Sequence, residues 1–404
     1  MTVELFPIAR HIWDMKYRRR ADDSTPLETS VADTWDRVAD ALAGAEPASA
    51  RGEHRRAFRE ALADFRVMPA GRILAGAGTG LEVTLFNCFV MGTLPDDLHG
   101  IFTHLREAAE TLRAGGGIGY DFSTLRPEGA PVHGLGGTAS GPVSFMDVWD
   151  AMCRTIMSAG NRRGAMMGTL RCDHPDIETF IAAKGDPERL RMFNLSVLVT
   201  DAFMDAVEAG DDWPLVFNGE TLRTVRAREL WDRIMAATYA YAEPGVIFID
   251  RVNALNNLAY CETIHATNPC GEEPLPPYGA CLLGSINLAR LVKHPFTDAA
   301  ELDVDALDEL VPRAVRMLDD AIEVSRYPLT RQREEAVAKR RIGLGVTGLA
   351  DALMMCGLTY GGEAAIARTQ AWMHALQRRS YLASAELARE RGAFPLFQRG
   401  AYMA

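Results

Sequence analysis

Three residues able to do chemistry stand at alternate positions in the stretch "NPCGE": Asn268, Cys270 and Glu272. An amide can orient a hydroxyl, a carboxylate can take its proton, and a thiol sits between them. In an extended loop alternate side chains point the same way, so the three are expected on one side of the chain as a compact reaction centre. Pro269 and Gly271 suit a tightly constrained loop better than a regular strand. A second thiol, Cys281, follows eleven residues later in "PPYGACLLGSINL", and a third, Cys88, lies far upstream in "LFNCFV". Each precedes apolar, strand-like residues. Buried structural cysteines are common, so each alone reads first as a core residue.

Other motifs carry less. "GLGVTG" (Gly343, Gly345, Gly348) matches a dinucleotide fingerprint, but the preceding "EEAVAKRRI" is too charged for a buried first strand. A tight strand-to-helix turn is therefore expected there rather than a cofactor loop. "CETIH" places Cys261 and His265 four residues apart with no second ligand pair nearby, and "CDHP" from Cys172 fits ordinary turn chemistry. No metal site is expected. The glycines of "AGGGIGY" either end a helix or let backbone approach a ligand closely, and both readings stay open. Arg162 and Arg163 of "NRRGAMMG" read either as a solvated turn or as recognition of a phosphate or base.

These residues need a large scaffold, and the chain supplies one. Its 404 residues are 48% apolar and 24% charged, the profile of a globular protein with two domains or one large α/β domain and an appendage. A net charge of −11 argues against broad adhesion to nucleic acid or anionic membrane, both of which need a basic surface. A nucleotide in a local pocket remains compatible with it. The first residues lack the apolar core of a signal peptide and no apolar run reaches spanning length, so a cytoplasmic location is expected. Seven scattered cysteines do not suggest a secreted disulfide scaffold.

To about residue 66 the chain is charged and helix-patterned, with Val31, Trp35, Val38 and Leu42 at helical spacing. Thereafter helical patterns such as "HGIFTHLREAAETLRAGGG" alternate with strand-like "IGYDF", "RMFNLSVLVTD" and "GVIFID". That alternation predicts an α/β sheet or barrel of parallel strands. "VDALDELVPRAVRMLDDAIEVS" puts Val304, Leu307, Leu310, Val311, Val315, Leu318 and Ile322 on one helical face.

"NPCGE" followed by "PPYGACLLGSINL" resembles the active-site region of ribonucleotide reductase large subunits, most of all the adenosylcobalamin-dependent class II enzymes. "MPAGRILAGAGT", "NCFV", "GGGIGYDFSTLRPEGAPV", "SGPVSFMDVWDA", "NRRGAMMGTLRCDHPDIETFIAAK", "NLSVLVTDAFMDAV" and "RRIGLGVTGLADAL" fall in that family's order. The resemblance implies a small helical N-terminal domain (1–82) and a catalytic ten-stranded α/β barrel (83–404), its C-terminal strands missing from this chain. It implies reduction of ribonucleoside di- or triphosphates by a thiyl-radical mechanism, with adenosylcobalamin as the radical source. Cys270 would carry the radical, Glu272 would act as base on the 3′-hydroxyl, and Asn268 would hold the ribose hydroxyls. Cys88 and Cys281 would supply two electrons and end as a disulfide, which requires their Cα atoms within roughly 7 Å. Asn87, Cys88, Gly117 and the run Asn268, Pro269, Cys270, Gly271 and Glu272 match substrate-contacting positions. Asp96 (or Asp97) and Arg126 would bind a dNTP effector, and Arg162 and Arg163 lie in the loop that passes effector identity to base choice. A thioredoxin-like reductant and a homodimer are implied as partners.

The chain departs from the family in two ways. Leu282 stands where the family often has Asn. The sequence also stops at "GAFPLFQRGAYMA", before the expected later strands, the phosphate-gripping loop and the C-terminal cysteine pair. The chain is therefore read as a fragment, as a split-gene product active with a complementary C-terminal chain, or as a shortened relative with altered function. The alternatives are the same reaction with a separate metal-cofactor subunit, or a non-catalytic nucleotide-binding or assembly subunit.

Overall fold

The computed structural model describes residues 5–132, 134, 136–156 and 164–402. It is a mixed α/β chain whose residues group into two compact units. Eight strands form the two larger sheets: β1 (Val67–Pro69), β2 (Cys88–Val90), β3 (Gly117–Asp121), β4 (Met166–Arg171), β5 (Phe193–Val199), β6 (Gly245–Phe248), β7 (Leu282–Asn287) and β8 (Ile342–Thr347).

The first unit comprises residues 1–87, 281–327 and 336–397. Its sheet has the order β1-β7-β8, with β1 antiparallel and β8 parallel to β7. Helix Val304–Val324 lies on β7, where a Cβ added to Gly284 would sit 3.3 Å from Leu318. Six of the seven apolar positions read onto one face of that helix are buried; Val304, in its first turn, is exposed. Helices Val31–Ala43 and Arg51–Leu62 pack on the same helix, burying Val38, Leu42, Phe58 and Leu62. Arg391 ties this layer together through Glu46, Asp319 and Asp320 at 2.6–2.7 Å. The residues of "EEAVAKRRI" that precede β8 belong mostly to helix Thr330–Lys339, and Gly343 and Gly345 lie within β8. Gly348, at φ 70°, caps helix Leu349–Met355. The fingerprint is thus a strand and a left-handed cap, the geometry glycine permits at no steric cost.

The second unit comprises residues 88–280, 328–335 and 398–404. Its sheet is parallel throughout, in the order β6-β5-β4-β3-β2. Parallel strands buried on both faces read as apolar runs, and β2, β4 and β5 do so. Helix Leu98–Arg113 starts at Asp97, whose carboxylate accepts from Gly100 N–H at 2.8 Å. It buries Ile101, His104, Ala108 and Leu112. Tyr120, Phe122, Trp149 and Phe193 form an edge-on aromatic core, with centroids 5.7–5.9 Å apart for Trp149 with Tyr120, Trp149 with Phe122, and Phe122 with Phe193. No helix among the described residues is long and apolar enough to cross a membrane.

A short hairpin, Ala266–Thr267 with Pro274–Leu275, lies against β3. A Cβ added to Gly119 would fall 1.7 Å from the carbonyl oxygen of Thr267, so that position admits only glycine. The close backbone approach permitted by the glycine run is made by the protein's own chain. Gly119→Ala is expected to destabilise the fold by about 3 kcal/mol through overpacking against rigid backbone, with faster amide exchange across 266–275. Gly345→Ala, where nothing lies within 4 Å, should stay within about 0.5 kcal/mol in the same denaturant titration, as surface changes usually do. Equal effects at both positions would refute the seating of the hairpin on Gly119.

Candidate active site

The hairpin tip carries the residues of "NPCGE", and its geometry is a turn, not an extended loop. Gly271 N–H donates to Asn268 O at 3.1 Å, and Gly271 takes φ 83°. Asn268 N–H donates to Glu273 O at 3.3 Å, and Glu273 N–H donates to Asn268 Oδ1 at 2.9 Å. Asn268 is therefore fully buried inside the tip, whereas Cys270 and Glu272 are exposed. The expectation that all three point the same way is corrected. Pro269 starts a turn, which breaks the two-residue alternation that holds only in extended chain.

Burial gives Asn268 a specific chemical character. Its Oδ1 is used by Glu273, while its Nδ2 has no partner among the described residues. A buried donor without an acceptor is rare in native proteins and marks a place where a ligand or water completes the bonding. Asn268 Nδ2 is thus placed to donate to a ligand.

Three expected site residues converge beneath the tip. Cys88 opens β2 in register with Gly117 of β3, and Pro269 closes over them. A Cβ added at Gly117 would lie 2.9 Å from Pro269 Cγ and 3.4 Å from Cys88 Sγ. Cys88 is buried. Asn87 and Cys281 belong to the first unit: Asn87 Oδ1 accepts from Arg72 N–H at 3.3 Å, and Cys281 is half-buried with its Sγ 3.8 Å from Leu282 O.

The expected effector residues are brought together in part. Arg126 Nε donates to Asp96 Oδ2 at 2.8 Å, and its backbone N–H donates to Asp96 Oδ1 at 3.0 Å. Asp97 is instead the helix cap described above, which separates the two acids. Arg162 and Arg163 lie outside the described residues. Among the described residues no group of three or more His, Cys, Asp or Glu is placed to hold a metal. His174 of "CDHP" is structural, with Nε2 2.9 Å from Leu125 O and Nδ1 accepting from Asp176 N–H at 3.0 Å.

Two residues near the tip escaped the sequence reading. Glu273 is only 6% exposed and neither carboxyl oxygen has a partner among the described residues. Burial, with Glu272 adding like charge, pushes its carboxyl up to about 8, so it is neutral at pH 7. The doubled "EE" was the available signal. Asn194, the one exposed position in otherwise buried β5, donates from Nδ2 to Pro269 O at 2.6 Å. A polar residue interrupting an apolar parallel strand was its signal.

Comparison with known proteins gives this geometry its context. Residues 86–404 match the family model described as ribonucleotide reductase, barrel domain, and residues 4–82 match ribonucleotide reductase, all-alpha domain. The chain belongs to the ribonucleotide reductase family. It is 44% identical over 388 residues to the vitamin B12-dependent ribonucleoside-diphosphate reductase of Mycobacterium tuberculosis (strain CDC 1551 / Oshkosh), covering 95% of this chain and 55% of that protein. The protein of the same name from Thermoplasma acidophilum is 39% identical over 348 residues, covering 85% of this chain and 44% of the relative. The vitamin B12-dependent ribonucleotide reductase of Streptomyces coelicolor is 30% identical over 350 residues, with 80% and 36% covered. The chain thus spans about half the length, or less, of these curated relatives.

Glu273 has a measurable signature. In the unfolded chain a glutamate ionises near 4.3, while in the fold it keeps its proton to about 8. Its contribution to stability is therefore full below about pH 4 and is lost as pH rises to about 8. Glu273→Gln stays neutral throughout. The variant should gain on the wild type between pH 5 and pH 8, by up to roughly 1.4 kcal/mol per pH unit. Urea titrations at pH 5, 6.5 and 8 measure this, and a pH-independent gap would show that Glu273 is ionised in the fold.

Proposed function

We propose that this chain carries the catalytic core of a ribonucleotide reductase that converts ribonucleotides to 2′-deoxyribonucleotides with adenosylcobalamin as its radical source. The observation that carries this reading is the convergence of Cys88, Gly117 and Pro269 at a tip that presents Cys270 and buries an Asn268 Nδ2 with no partner among the described residues. A ribose C–H bond has no acidity a side chain could use, so the reaction needs a cofactor to initiate it. The exposed Cys270 thiol fits an initiator that approaches from outside the hairpin. Adenosylcobalamin, when bound, supplies the initiating radical chemistry; the relatives' names support it.

The remaining work falls to this chain's residues. Cys270 Sγ abstracts the 3′-hydrogen of the ribose, and Glu272 takes the 3′-hydroxyl proton. Asn268 Nδ2, which has no partner among the described residues, donates to a ribose hydroxyl. Cys88 protonates the departing 2′-hydroxyl, which leaves as water. Cys88 and Cys281 together give up two electrons and two protons and become a disulfide: one proton leaves with the 2′-hydroxyl as water, and the other, with the two electrons, makes the new C2′–H bond. Cys270 then returns its hydrogen to C3′ and Glu272 its proton to the 3′-oxygen, so the reaction balances. Asn87, Gly117, Pro269 and Gly271 shape the substrate pocket. We place a dNTP effector site at Asp96 and Arg126, with Arg162 and Arg163 relaying effector identity. A thioredoxin-like reductant, a homodimeric assembly and a complementary C-terminal chain complete the proposal.

The test supplies the purified chain, alone and with a chain covering the rest of the relatives' length, with CDP or CTP, dithiothreitol and adenosylcobalamin. Deoxynucleotide that requires the cobalamin and falls at least a thousandfold in Cys270→Ser is the expected result. Without dithiothreitol, peptide mapping should show Cys88 joined to Cys281 after turnover. A Cys270–Cys281 disulfide would contradict the assigned roles. Turnover only with an added metal-cofactor subunit would overturn the cofactor, and effector binding without any turnover would overturn the reaction.

A further inference from the structure

The hydrogen bonds inside the hairpin tip fix its shape but not its place on the sheet. Gly119 and Gly117 give it a seat, and two side chains of the sheet add hydrogen bonds that hold it there. Thr169 Oγ1 of β4 lies 3.3 Å from the carbonyl of His265 at the hairpin's base, sharing its proton with Tyr120 O at the same distance. Asn194 Nδ2 of β5 donates to the carbonyl of Pro269 at 2.6 Å. The Asn194 bond is the shorter, and its acceptor belongs to the residue immediately before Cys270.

Asn194 is the second residue of β5, level with Met167 of β4 and at the amino end of the parallel strands. The same end holds Cys88 and Gly117. On the other side of Pro269, its ring rests on Gly117. The residue before the tip thiol is thus held by van der Waals contact on one side and a hydrogen bond on the other. A thiol that must meet one hydrogen of a substrate needs such fixing, because small misplacement is costly in rate.

We infer that Asn194 is a positioning residue for Cys270: its amide clamps the Pro269 carbonyl and so fixes the tip of the hairpin against the parallel sheet. The kinetic consequence rests on the role proposed above for Cys270, whereas the clamp itself does not. Asn194→Ala removes the donor. Asn194→Asp keeps the shape but, while ionised, sets a carboxylate against the carbonyl and regains a donor only when protonated.

The first readout needs no turnover. Cys270 and Cys261 are both exposed thiols, so limited iodoacetamide labelling with mass spectrometry gives a Cys270-to-Cys261 ratio with an internal control. Loss of one neutral hydrogen bond corresponds to roughly a threefold to tenfold change. That change is expected in the labelling ratio and in amide exchange of residues 266–275 for both variants at pH 7.5, with Cys261 unaffected. Exchange in Asn194→Asp, relative to wild type, should return toward unity near pH 4.5, which a merely structural loss would not do. In the reductase assay, Asn194→Ala should lower kcat about tenfold with KM within twofold. Should Asn194→Ala fail to fold, Asn194→Ser takes its place in every arm. Labelling and exchange within twofold of wild type would overturn the clamp, as would a KM change at constant kcat. A wild-type chain that never turns over, yet shows the clamp, would overturn the reductase reading alone.

Discussion

Two absent side chains on β3 decide where the chemistry can happen. With no Cβ at Gly119, the carbonyl of Thr267 occupies the space a methyl group would fill, and with none at Gly117 the ring of Pro269 settles against Cys88. The contact at Gly119 is between main chains, so no rotamer can relieve it and no flexible side chain can mediate it. Hard-sphere exclusion thus limits where the hairpin can sit. Thr169 and Asn194 add direction, and the hydrogen bonds within the tip add shape. Cys270 inherits its place from this hierarchy.

The architecture around the hairpin follows from ordinary rules. Parallel strands need both faces covered, and helices Leu98–Arg113 and Pro142–Thr155 with their aromatic partners provide cover in the second unit. In the first unit, helix Val304–Val324 is the element on which both the β1-β7-β8 sheet and the early helices rest. Its Arg316, Asp319 and Asp320 join Glu46 and Arg391 in a largely buried network that pairs opposite charges, while Glu46 Oε2 and Asp320 Oδ2 have no partner among the described residues.

Much of this was legible in the sequence. The helix and strand pattern from Leu98 to Phe248 follows the apolar periodicity closely, because long amphipathic helices and apolar parallel strands give the clearest signals. The motif order pointed to the family that the comparisons show. What escaped was local. The alternation of Asn268, Cys270 and Glu272 assumed extended chain, whereas Pro269 and Gly271 make a turn that buries the first of the three. The two readings of the glycine run could not be separated by composition, since the partner of Gly119 lies 148 residues away at Thr267. Asp96 and Asp97 are neighbours of one type, and only the helix start, with its free N–H groups, assigns one to the cap and the other to Arg126.

The neutral state of Glu273 has an electrostatic side. Two adjacent glutamates would ordinarily give the hairpin tip a double negative charge, on a chain that already carries −11 overall. Burial of Glu273 removes one of those charges near neutral pH. Like charges facing each other in a poorly hydrated pocket repel strongly, and steering of a polyanion depends on the local field rather than on the total charge. The tip thus halves its own repulsion toward any phosphorylated ligand while keeping one carboxylate ready to accept a proton, and raising the pH past 8 would restore the second charge and close that approach.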